Sequence, residues 1–270
     1  MEISVFAVVV TFNRAKVLEV CLNSLLTQVP FGLQKIHVVV NSTDEATSLL
    51  LESYKTKELL TYEFLQNPGP AGGFAAGLEK FLMSPQSHVW LMDDDVSVQD
   101  DCLRELVSCV GNSEYVCPVV VSEKGQELGS YGWWGILLSK GIVVRAGVPL
   151  AELFYWAEDT EYLQNRIRRI HKVYPFKCRQ AVVYHLHSRS QKRPSWYYYY
   201  VIRNTIYYRI YVVAFSLKRI ARTLFLILGS LVRIIFKEER KLKKIALLVY
   251  GIYHGTVGKL GKLIDPELNK

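Results

Sequence analysis

Four short apolar runs in the first hundred residues have the pattern of buried β-strands. Continuous apolar residues, rather than alternating ones, are typical of parallel strands that are covered on both faces. Between the runs, apolar side chains recur every three or four residues, which is typical of helices that bury one face. This alternation of strands and helices predicts a doubly wound α/β sheet. The four runs cover residues 5–10, 36–40, 62–65 and 89–92.

Polar or glycine-rich residues follow each of these runs. In open α/β sheets, ligands bind at the carboxyl ends of the strands, so these residues are candidates for a binding site. Thr11 and Asn13 follow the first strand, although capping of the next helix explains them equally well. Asn41 follows the second strand, and the glycine-rich segment 69–77 follows the third. Its glycines would let the backbone approach a ligand or a neighbouring strand closely.

The fourth run ends in three consecutive aspartates, Asp93, Asp94 and Asp95. Carboxylates this close repel one another unless a cation or hydrogen-bond donors neutralise them. A turn at the end of the strand would let Asp93 and Asp95 converge on one ion, and hard oxygen ligands favour Mg²⁺ or Mn²⁺. The alternative is a turn followed by a helix cap, with Asp95 or Ser97 capping a helix over residues 99–110.

Two adjacent tryptophans and a group of acids mark the middle of the chain. Trp133 and Trp134 lie between glycines. If exposed, their rings could stack on the apolar faces of sugars; if buried, they would belong to the core. Glu158 and Asp159 stand at a predicted helix start, where acids interact favourably with the helix dipole. An acid at the mouth of a site could instead act as a general base.

Two histidines follow a short predicted strand at residues 179–183. In a strand, His185 and His187 share a face, so either could reach a metal ion bound by the aspartates. The usual alternative is a histidine that is satisfied at the protein surface.

The charge of the chain is divided unevenly. Residues 171–270 contain 20 Lys/Arg and 4 Asp/Glu, a net charge of +16, whereas residues 1–170 contain 13 and 21, a net charge of −8. This division predicts an acidic half that can use a metal ion and a basic half that meets a polyanion or an anionic membrane.

The cysteines and the hydropathy of the chain indicate in which cellular compartment the protein is expected. The five cysteines show no CxxC pairing and lie in apolar contexts, so we expect buried, reduced thiols and a cytosolic compartment. The first residues lead into a strand without a basic segment or a cleavage site, so we expect no secretory signal. No stretch of about 18 uncharged apolar residues is present, which argues against a spanning helix.

An aromatic and basic helical region follows Pro194. On a helical wheel, the basic residues between 218 and 237 occupy an arc of about 100°, and Phe, Leu and Ile fill most of the remainder. A second segment, residues 241–253, is similar. This pattern is typical of a helix that lies in an anionic membrane interface, and a soluble helical dimer interface is the alternative. The apolar face argues against a nucleic-acid partner.

Taken in order, the segments VVVTFNR, NSTD, NPGPAGG, WLMDDD, GWWG, WAED and VYH resemble those of family 2 glycosyltransferases with the GT-A fold. Within that family, the chain most resembles the galactofuranosyl- and rhamnosyltransferase-like branch, which builds bacterial surface polysaccharides. The resemblance covers about residues 3–210. It implies an α/β fold over residues 1–193, with a GT-A Rossmann-like mixed sheet and helices on both faces. A membrane-associating tail of amphipathic helices would follow over residues 194–270.

The resemblance also implies a sugar transfer that inverts the anomeric centre and uses one divalent metal ion, Mn²⁺ or Mg²⁺. The residues expected to bind the nucleotide diphosphate sugar donor are Thr11, Asn13, Arg14, Asn41, Gly72, Gly73 and Asp94. The expected metal ligands are Asp93, Asp95 and His185, with His187 as the second choice for the histidine.

The acceptor side follows from the same resemblance. Asp159, beside Glu158, would take the proton of the acceptor hydroxyl, and the acceptor site would be shaped by Trp133 and Trp134. Many relatives have an acid just before the Asn of the second motif, where this chain has Val40, so uracil and thymine both stay open as the donor base. The expected partners are a UDP- or dTDP-sugar, a lipid-linked glycan and the anionic inner face of the cell membrane.

Two alternative functions stay open. Transfer to a polyprenol phosphate itself is the enzymatic alternative, and the lack of a spanning segment argues mildly against it. A catalytically idle GT-A module that binds membranes or partner enzymes is the other, and the intact acids argue against that one. The sugar, the linkage and the oligomeric state are left open, with a homo-oligomer compatible with the sequence.

Overall fold

The structure, a computed structural model, describes residues 3–42, 44–54, 58–129, 132–186 and 192–266. Within these ranges, nine strands form one sheet, and eight α-helices and two π-helices surround or follow it. His187, the second choice for a metal ligand, lies outside the described residues.

Strands and helices alternate through the first half of the chain, as the apolar pattern predicts. The strands are β1 (Val5–Thr11), β2 (Leu33–Val40), β3 (Leu60–Phe64), β4 (His88–Asp93), β5 (Val96–Val98), β6 (Tyr115–Ser122), β7 (Glu127–Leu128), β8 (Trp134–Ser139) and β9 (Phe176–His185). The α-helices are α1 (Ala15–Leu26), α2 (Glu45–Ser53), α3 (Gly69–Leu82), α4 (Cys102–Ser108), α5 (Lys140–Ala146), α6 (Ser195–Tyr207), α7 (Leu217–Lys237) and α8 (Lys241–Thr256). The π-helices cover Thr160–Ile170 and Tyr208–Val212.

The sheet is mixed, and its first half is parallel. The strand order is β3-β2-β1-β4-β8-β6-β9-β5, and β7 pairs with β6 beside this path. The four strands predicted from apolar runs, β1 to β4, are parallel neighbours. β8 then pairs antiparallel with β4, and β5 pairs antiparallel with β9. This topology confirms the predicted fold class, and it brings the carboxyl ends of β1, β2 and β4 to one edge of the sheet.

Helices cover both faces of the sheet. Along β1, Ala7 and Val9 belong to a core shared with α1, α2 and α4. Val8 and Val10 belong to a second core, shared with α3, α5 and the first π-helix. Alternate residues of a strand point to opposite faces, so one run of β-branched residues serves both cores.

The helix predicted over residues 99–110 is shorter than expected. β5 forms over residues 96–98, directly after the aspartates, and pairs with β9, and a turn over residues 100 and 101 follows it. The backbone N–H of Gln99 continues this pairing by donating to the carbonyl of Val182 at 3.1 Å. Helix α4 therefore begins only at Cys102.

The glycine-rich segment is helical. It forms the first turns of α3, which begins at Gly69, and two of its glycines, Gly73 and Gly77, face the sheet. A Cβ added at Gly73 would lie 2.7 Å from Val10 Cγ1, and one added at Gly77 would collide with Val8. The glycines therefore allow the helix to approach β1 closely, which is one of the two roles that the sequence left open.

The C-terminal helices pack on one another around a buried carboxylate. The Glu238 carboxylate accepts hydrogen bonds from Lys244 Nζ at 2.7 Å, Arg233 Nε at 2.9 Å and the Tyr198 hydroxyl at 3.0 Å. Burial alone would raise the pKa of Glu238, but these donors lower it to about 2. This cluster joins α6, the end of α7 and the start of α8. In the ranges that the structure covers, no helix is both long and apolar enough to cross a bilayer.

The close approach of α3 to β1 gives a first prediction. Gly77→Ala should lower the free energy of unfolding by about 1–3 kcal/mol, because the added methyl group overpacks the contact with Val8. Gly229→Ala is the matched control, since Gly229 lies exposed in α7 with no atom within 4 Å of an added Cβ. That change should raise the stability by roughly 0.5–1 kcal/mol. Urea unfolding of both variants measures the difference, and equal effects would contradict the packing.

Candidate active site

The aspartates and the predicted histidine ligand come together at the carboxyl edge of the sheet. Asp93 is the last residue of β4, and Val96, the first residue of β5, lies opposite His185 of β9. The antiparallel pairing of β5 with β9 thus places the imidazole beside the aspartates. His185 Nε2 is 3.7 Å from Asp95 Oδ1.

Arg14 is the immediate counter-charge of the aspartates. Its guanidinium forms an ion pair with Asp94, and its Nη1 donates to Asp95 Oδ2 at 3.0 Å. The Thr11 hydroxyl donates to the same Asp94 carboxylate at 2.5 Å. Burial raises the pKa of Asp94 to about 6, even though Arg14 and Thr11 lower it. Asp94, predicted to bind the donor, is therefore used to hold Thr11 and Arg14 in place.

Asp95 and His185 carry side chains that could bind a divalent metal ion, and their role as metal ligands stays a prediction. Asp95 Oδ1 is buried and has no hydrogen-bond partner among the described residues. The pKa of Asp93 is held well above its ordinary value by burial and by the charges of Asp95 and Asp94, so a cation here would be strongly favoured. Carboxylate and imidazole ligands suit Mn²⁺ and Mg²⁺. In the described part of the chain, however, no three acidic, His or Cys side chains are close enough to hold an ion.

The remaining residues expected at the donor lie along the neighbouring strand ends. Asn13 is exposed and has a left-handed backbone, with φ of 54°. Asn41 is buried, and its Nδ2 donates to the carbonyl of Gly69 at 3.0 Å. Gly73 packs against Asn41 and β1, and Gly72 packs against Pro68. Asn41 and the two glycines therefore fix the start of α3, whereas Asn13 is exposed just after β1.

The two tryptophans lie in different environments. Trp133 is buried, and its ring stacks on Phe74 with the centroids 4.2 Å apart. Of the two alternatives, a ring that stacks on a sugar and a ring in the core, Trp133 is the second, because its ring is not exposed to a ligand. Trp134 is half-buried and meets the His185 ring edge to face, with the centroids 5.1 Å apart. Trp134 is thus the one of the pair that lies beside the crevice.

A strained loop carries the predicted catalytic acids. Phe154, Trp156 and Ala157 have φ values of 62°, 75° and 70°. Such left-handed conformations cost on the order of 1–3 kcal/mol each for residues other than glycine, and they concentrate at functional sites. The loop ends at Glu158 and Asp159, which lead into the first π-helix.

Glu158 and Asp159 differ in burial and in bonding. Glu158 is buried, and burial together with the charge of Asp159 raises its pKa to about 8. When ionised, Glu158 would raise the pKa of Asp93 further, so the two carboxylates belong to the same acidic region of the protein. Asp159 is half-buried, its Oδ1 accepts hydrogen bonds from the Thr160 N–H and hydroxyl, and burial raises its pKa. Near neutral pH, Glu158 therefore keeps a proton.

The sequence reasoning assigned no role to two residues that contact this loop, Arg203 and Asn204 of α6. Both are fully buried, and both donate hydrogen bonds to loop carbonyls. The available signal was a cation and an amide side by side in a helix that is otherwise aromatic and apolar.

Comparison with known proteins agrees with the fold. Residues 6–137 match the family model described as glycosyl transferase family 2. The structure is similar to S. aureus TarS 1–349, with a TM-score of 0.60 and 13% identity over 94% of this chain and 81% of that chain. It is also similar to TarS 1–349 in complex with UDP-GlcNAc, with a TM-score of 0.61 and 14% identity over 94% and 82% of the two chains.

A third similar structure is GalNAc-T7 with UDP, GalNAc and Mn²⁺, with a TM-score of 0.59 and 11% identity over 76% of this chain and 47% of that chain. A search of curated proteins gives no match. Residues 6–137 are thus a glycosyltransferase domain, and the chain is an enzyme of the glycosyltransferase class with the GT-A fold. The galactofuranosyl- and rhamnosyltransferase-like branch stays a prediction.

The raised pKa of Glu158 predicts a pH-dependent stability. The folded state keeps a proton that the unfolded chain releases, so the free energy of unfolding should fall as the pH rises from about 4.5 to about 8 and level off above it. Glu158→Gln should remove this part of the decline, on the order of a few kcal/mol. Urea unfolding at pH 5 and pH 9 measures it, and an equal decline in both proteins would contradict the buried acid.

Proposed function

We propose that this enzyme transfers a sugar, galactofuranose or rhamnose, from a nucleotide diphosphate donor to a lipid-linked surface glycan, with inversion and with one divalent metal ion. The observation that carries the proposal is the group of acidic side chains at the carboxyl edge of the sheet. Asp93 and Asp95 stand at the end of β4, and His185 lies beside Asp95. Glu158 and Asp159 lead into the first π-helix, and Glu158 lies near enough to Asp93 to interact with it electrostatically.

On the donor side, Asp93, Asp95 and His185 would hold the metal ion, which when bound would neutralise the charge that develops on the leaving diphosphate. Arg14 already lies against Asp94 and Asp95, so its guanidinium can shift toward the diphosphate once a cation takes its place beside the carboxylates. The similar structures contain UDP, UDP-GlcNAc, or UDP with Mn²⁺, which supports a nucleotide diphosphate donor. The base, uracil or thymine, is open in this proposal.

On the acceptor side, Asp159 is the base that takes the proton of the attacking hydroxyl. Glu158 keeps its proton near neutral pH, so the negative charge of the pair resides on Asp159. A carboxylate that lies half-buried at the mouth of a crevice can reach an acceptor and still be ionised before it binds. Trp134, beside His185, would contact the acceptor or the transferred sugar.

Asp159→Asn tests this role. The amide keeps an oxygen that can accept the Thr160 hydrogen bonds, so the helix start is preserved while the base is lost. Transfer from UDP-galactofuranose or dTDP-rhamnose to a lipid-linked glycan extract should fall by about 10²–10⁴-fold. The control is Asp101→Asn, which removes a surface carboxylate paired with Arg104. Full transfer by the Asp159 variant would refute the proposal.

The C-terminal helices support a peripheral position on the cytoplasmic face of the membrane. At about 100° per residue, the side chains of α7 fall into three adjacent stripes. One stripe packs against α6 and α8 and includes Ile227, Leu231 and Ile234. The second is apolar and exposed: Leu224, Phe225, Leu228, Val232, Ile235 and Phe236. The third is basic: Lys218, Arg219, Arg222, Arg233 and Lys237.

An anionic bilayer suits the second and third stripes together. Phe225 and Phe236 are 74% and 77% exposed, which is costly in water and favourable at the acyl boundary. The basic stripe lies directly beside them, where lipid phosphates would meet it. A groove of about 320 Å³ on this helix is lined by both kinds of residue, including Val232, Phe236 and Lys237. A membrane-bound enzyme would meet its lipid-linked acceptor in the same plane.

Vesicle flotation tests this surface. The wild-type protein should bind vesicles that contain phosphatidylglycerol, bind neutral vesicles weakly and leave the anionic ones at high salt. Phe225→Glu combined with Phe236→Glu should weaken binding by at least roughly tenfold, since each buried Phe contributes about 1.5–3 kcal/mol. Met83→Glu is the matched control, because Met83 is 85% exposed outside the tail. The exposed stripe would instead be a dimer interface if the wild-type protein does not bind vesicles but forms a dimer, and if the double Phe variant is monomeric.

A further inference from the structure

We propose that Asn204, supported by Arg203, is a positioning residue that fixes the 153–157 loop and so aims the acids that follow it. The role in catalysis rests on the proposed function of Asp159 as the base. The geometry is independent of it, because both side chains lie in α6 and contact the loop directly.

Asn204 holds the loop through three backbone carbonyls. Its Nδ2 donates to the oxygens of Leu153 at 2.8 Å, Tyr155 at 2.7 Å and Trp156 at 2.8 Å. The amide group has only two N–H donors, so the three loop carbonyls share them. The loop is folded so that all three carbonyls point toward the amide nitrogen. These carbonyls belong to the segment with left-handed residues, which a chain without such a partner would not maintain.

Arg203 sets the orientation of the amide and adds a second attachment. Its Nε donates to Asn204 Oδ1 at 2.7 Å, so the amide has to present its nitrogen to the loop. Its Nη2 donates to the carbonyl of Leu153 at 2.9 Å. The guanidinium is fully buried over the rings of Tyr199 and Tyr200, and in the described part of the chain no carboxylate forms an ion pair with it. Its guanidinium instead donates to backbone carbonyls, that of Leu153 in the loop and that of Gly261 beyond α8.

The opposite side of the loop is closed by α3. The N–H of Ala71 donates to the carbonyl of Phe154 at 3.2 Å. A Cβ added at Gly69 would collide with that same carbonyl. The loop is therefore fixed between the glycine-rich start of α3 and the polar pair of α6, and its next residues are Glu158 and Asp159. Through this contact, the helical tail becomes part of the catalytic machinery.

Asn204→Ala and Asn204→Asp test the inference in the full-length protein. Aspartate has the same shape but cannot donate to the three carbonyls, so both variants should lower kcat about 10–100-fold while KM for the donor and UDP binding with Mn²⁺ change less than twofold. Hydrogen exchange of the 153–160 backbone should become faster in both. Tyr211→Phe, which removes the hydrogen bond from the Tyr211 hydroxyl to the carbonyl of Thr256, is the control and should change neither quantity. Arg203→Lys provides the same test if the Asn204 variants do not fold.

A double variant separates positioning from general destabilisation. If Asn204 acts through Asp159, then Asn204→Ala combined with Asp159→Asn should be no slower than Asp159→Asn alone. The inference would be overturned if the double variant loses kcat by the product of the two single losses, or if Asn204→Ala folds and keeps the wild-type kcat. Either result would leave the proposed base intact. An active Asp159→Asn enzyme would instead refute the proposed base, and slower loop exchange in the Asn204 variants would refute the geometric part.

Discussion

Three carboxylates at the end of one buried strand repel one another, and the arrangement of the site follows from how that repulsion is relieved. Arg14, just before α1, forms an ion pair with Asp94, and Thr11, the last residue of β1, donates a hydrogen bond to the same carboxylate. Asp95 has one oxygen bonded to Arg14 and one unpartnered oxygen. The unpartnered oxygen faces His185. Without the guanidinium, burial of the triplet would be prohibitively costly. With it, the site still carries more negative than positive charge, which a bound metal ion would offset.

The second carboxylate pair is placed by a different principle, backbone strain. Glu158 and Asp159 follow a loop whose left-handed residues are unfavourable in isolation. Packing from both sides compensates for them, with α3 on one side and α6 on the other. The C-terminal helices therefore have two roles. α6 supports the loop before the acids, and α7 exposes an apolar stripe that suits a membrane.

Local pattern was sufficient for the parallel half of the fold. The run that forms most of β1 is apolar throughout, and those of β2 to β4 are mainly apolar, so the type of these strands and their polar ends could be predicted from the sequence. The strand pattern also placed either His185 or His187 within reach of the aspartates, and the family resemblance favoured His185. Prediction from local sequence failed where a strand distant in the chain decides the conformation. Residues 96–98 became a strand because β9 was available to pair with them, and the glycines near Gly73 became helix because β1 needed a close neighbour. The interaction of Asn204 with the 153–157 loop had no periodicity by which to be recognised.

Calorimetric titration of UDP and dTDP, with and without Mn²⁺, tests the central claim most directly. One of the two nucleotides should bind the wild-type protein only in the presence of Mn²⁺. Asp95→Ala should abolish that binding, whereas Asp101→Ala, which removes a surface carboxylate, should preserve it. If neither nucleotide binds with Mn²⁺ present, or if Asp95→Ala binds as the wild type does, then the crevice at the end of β4 is not a metal-dependent donor site.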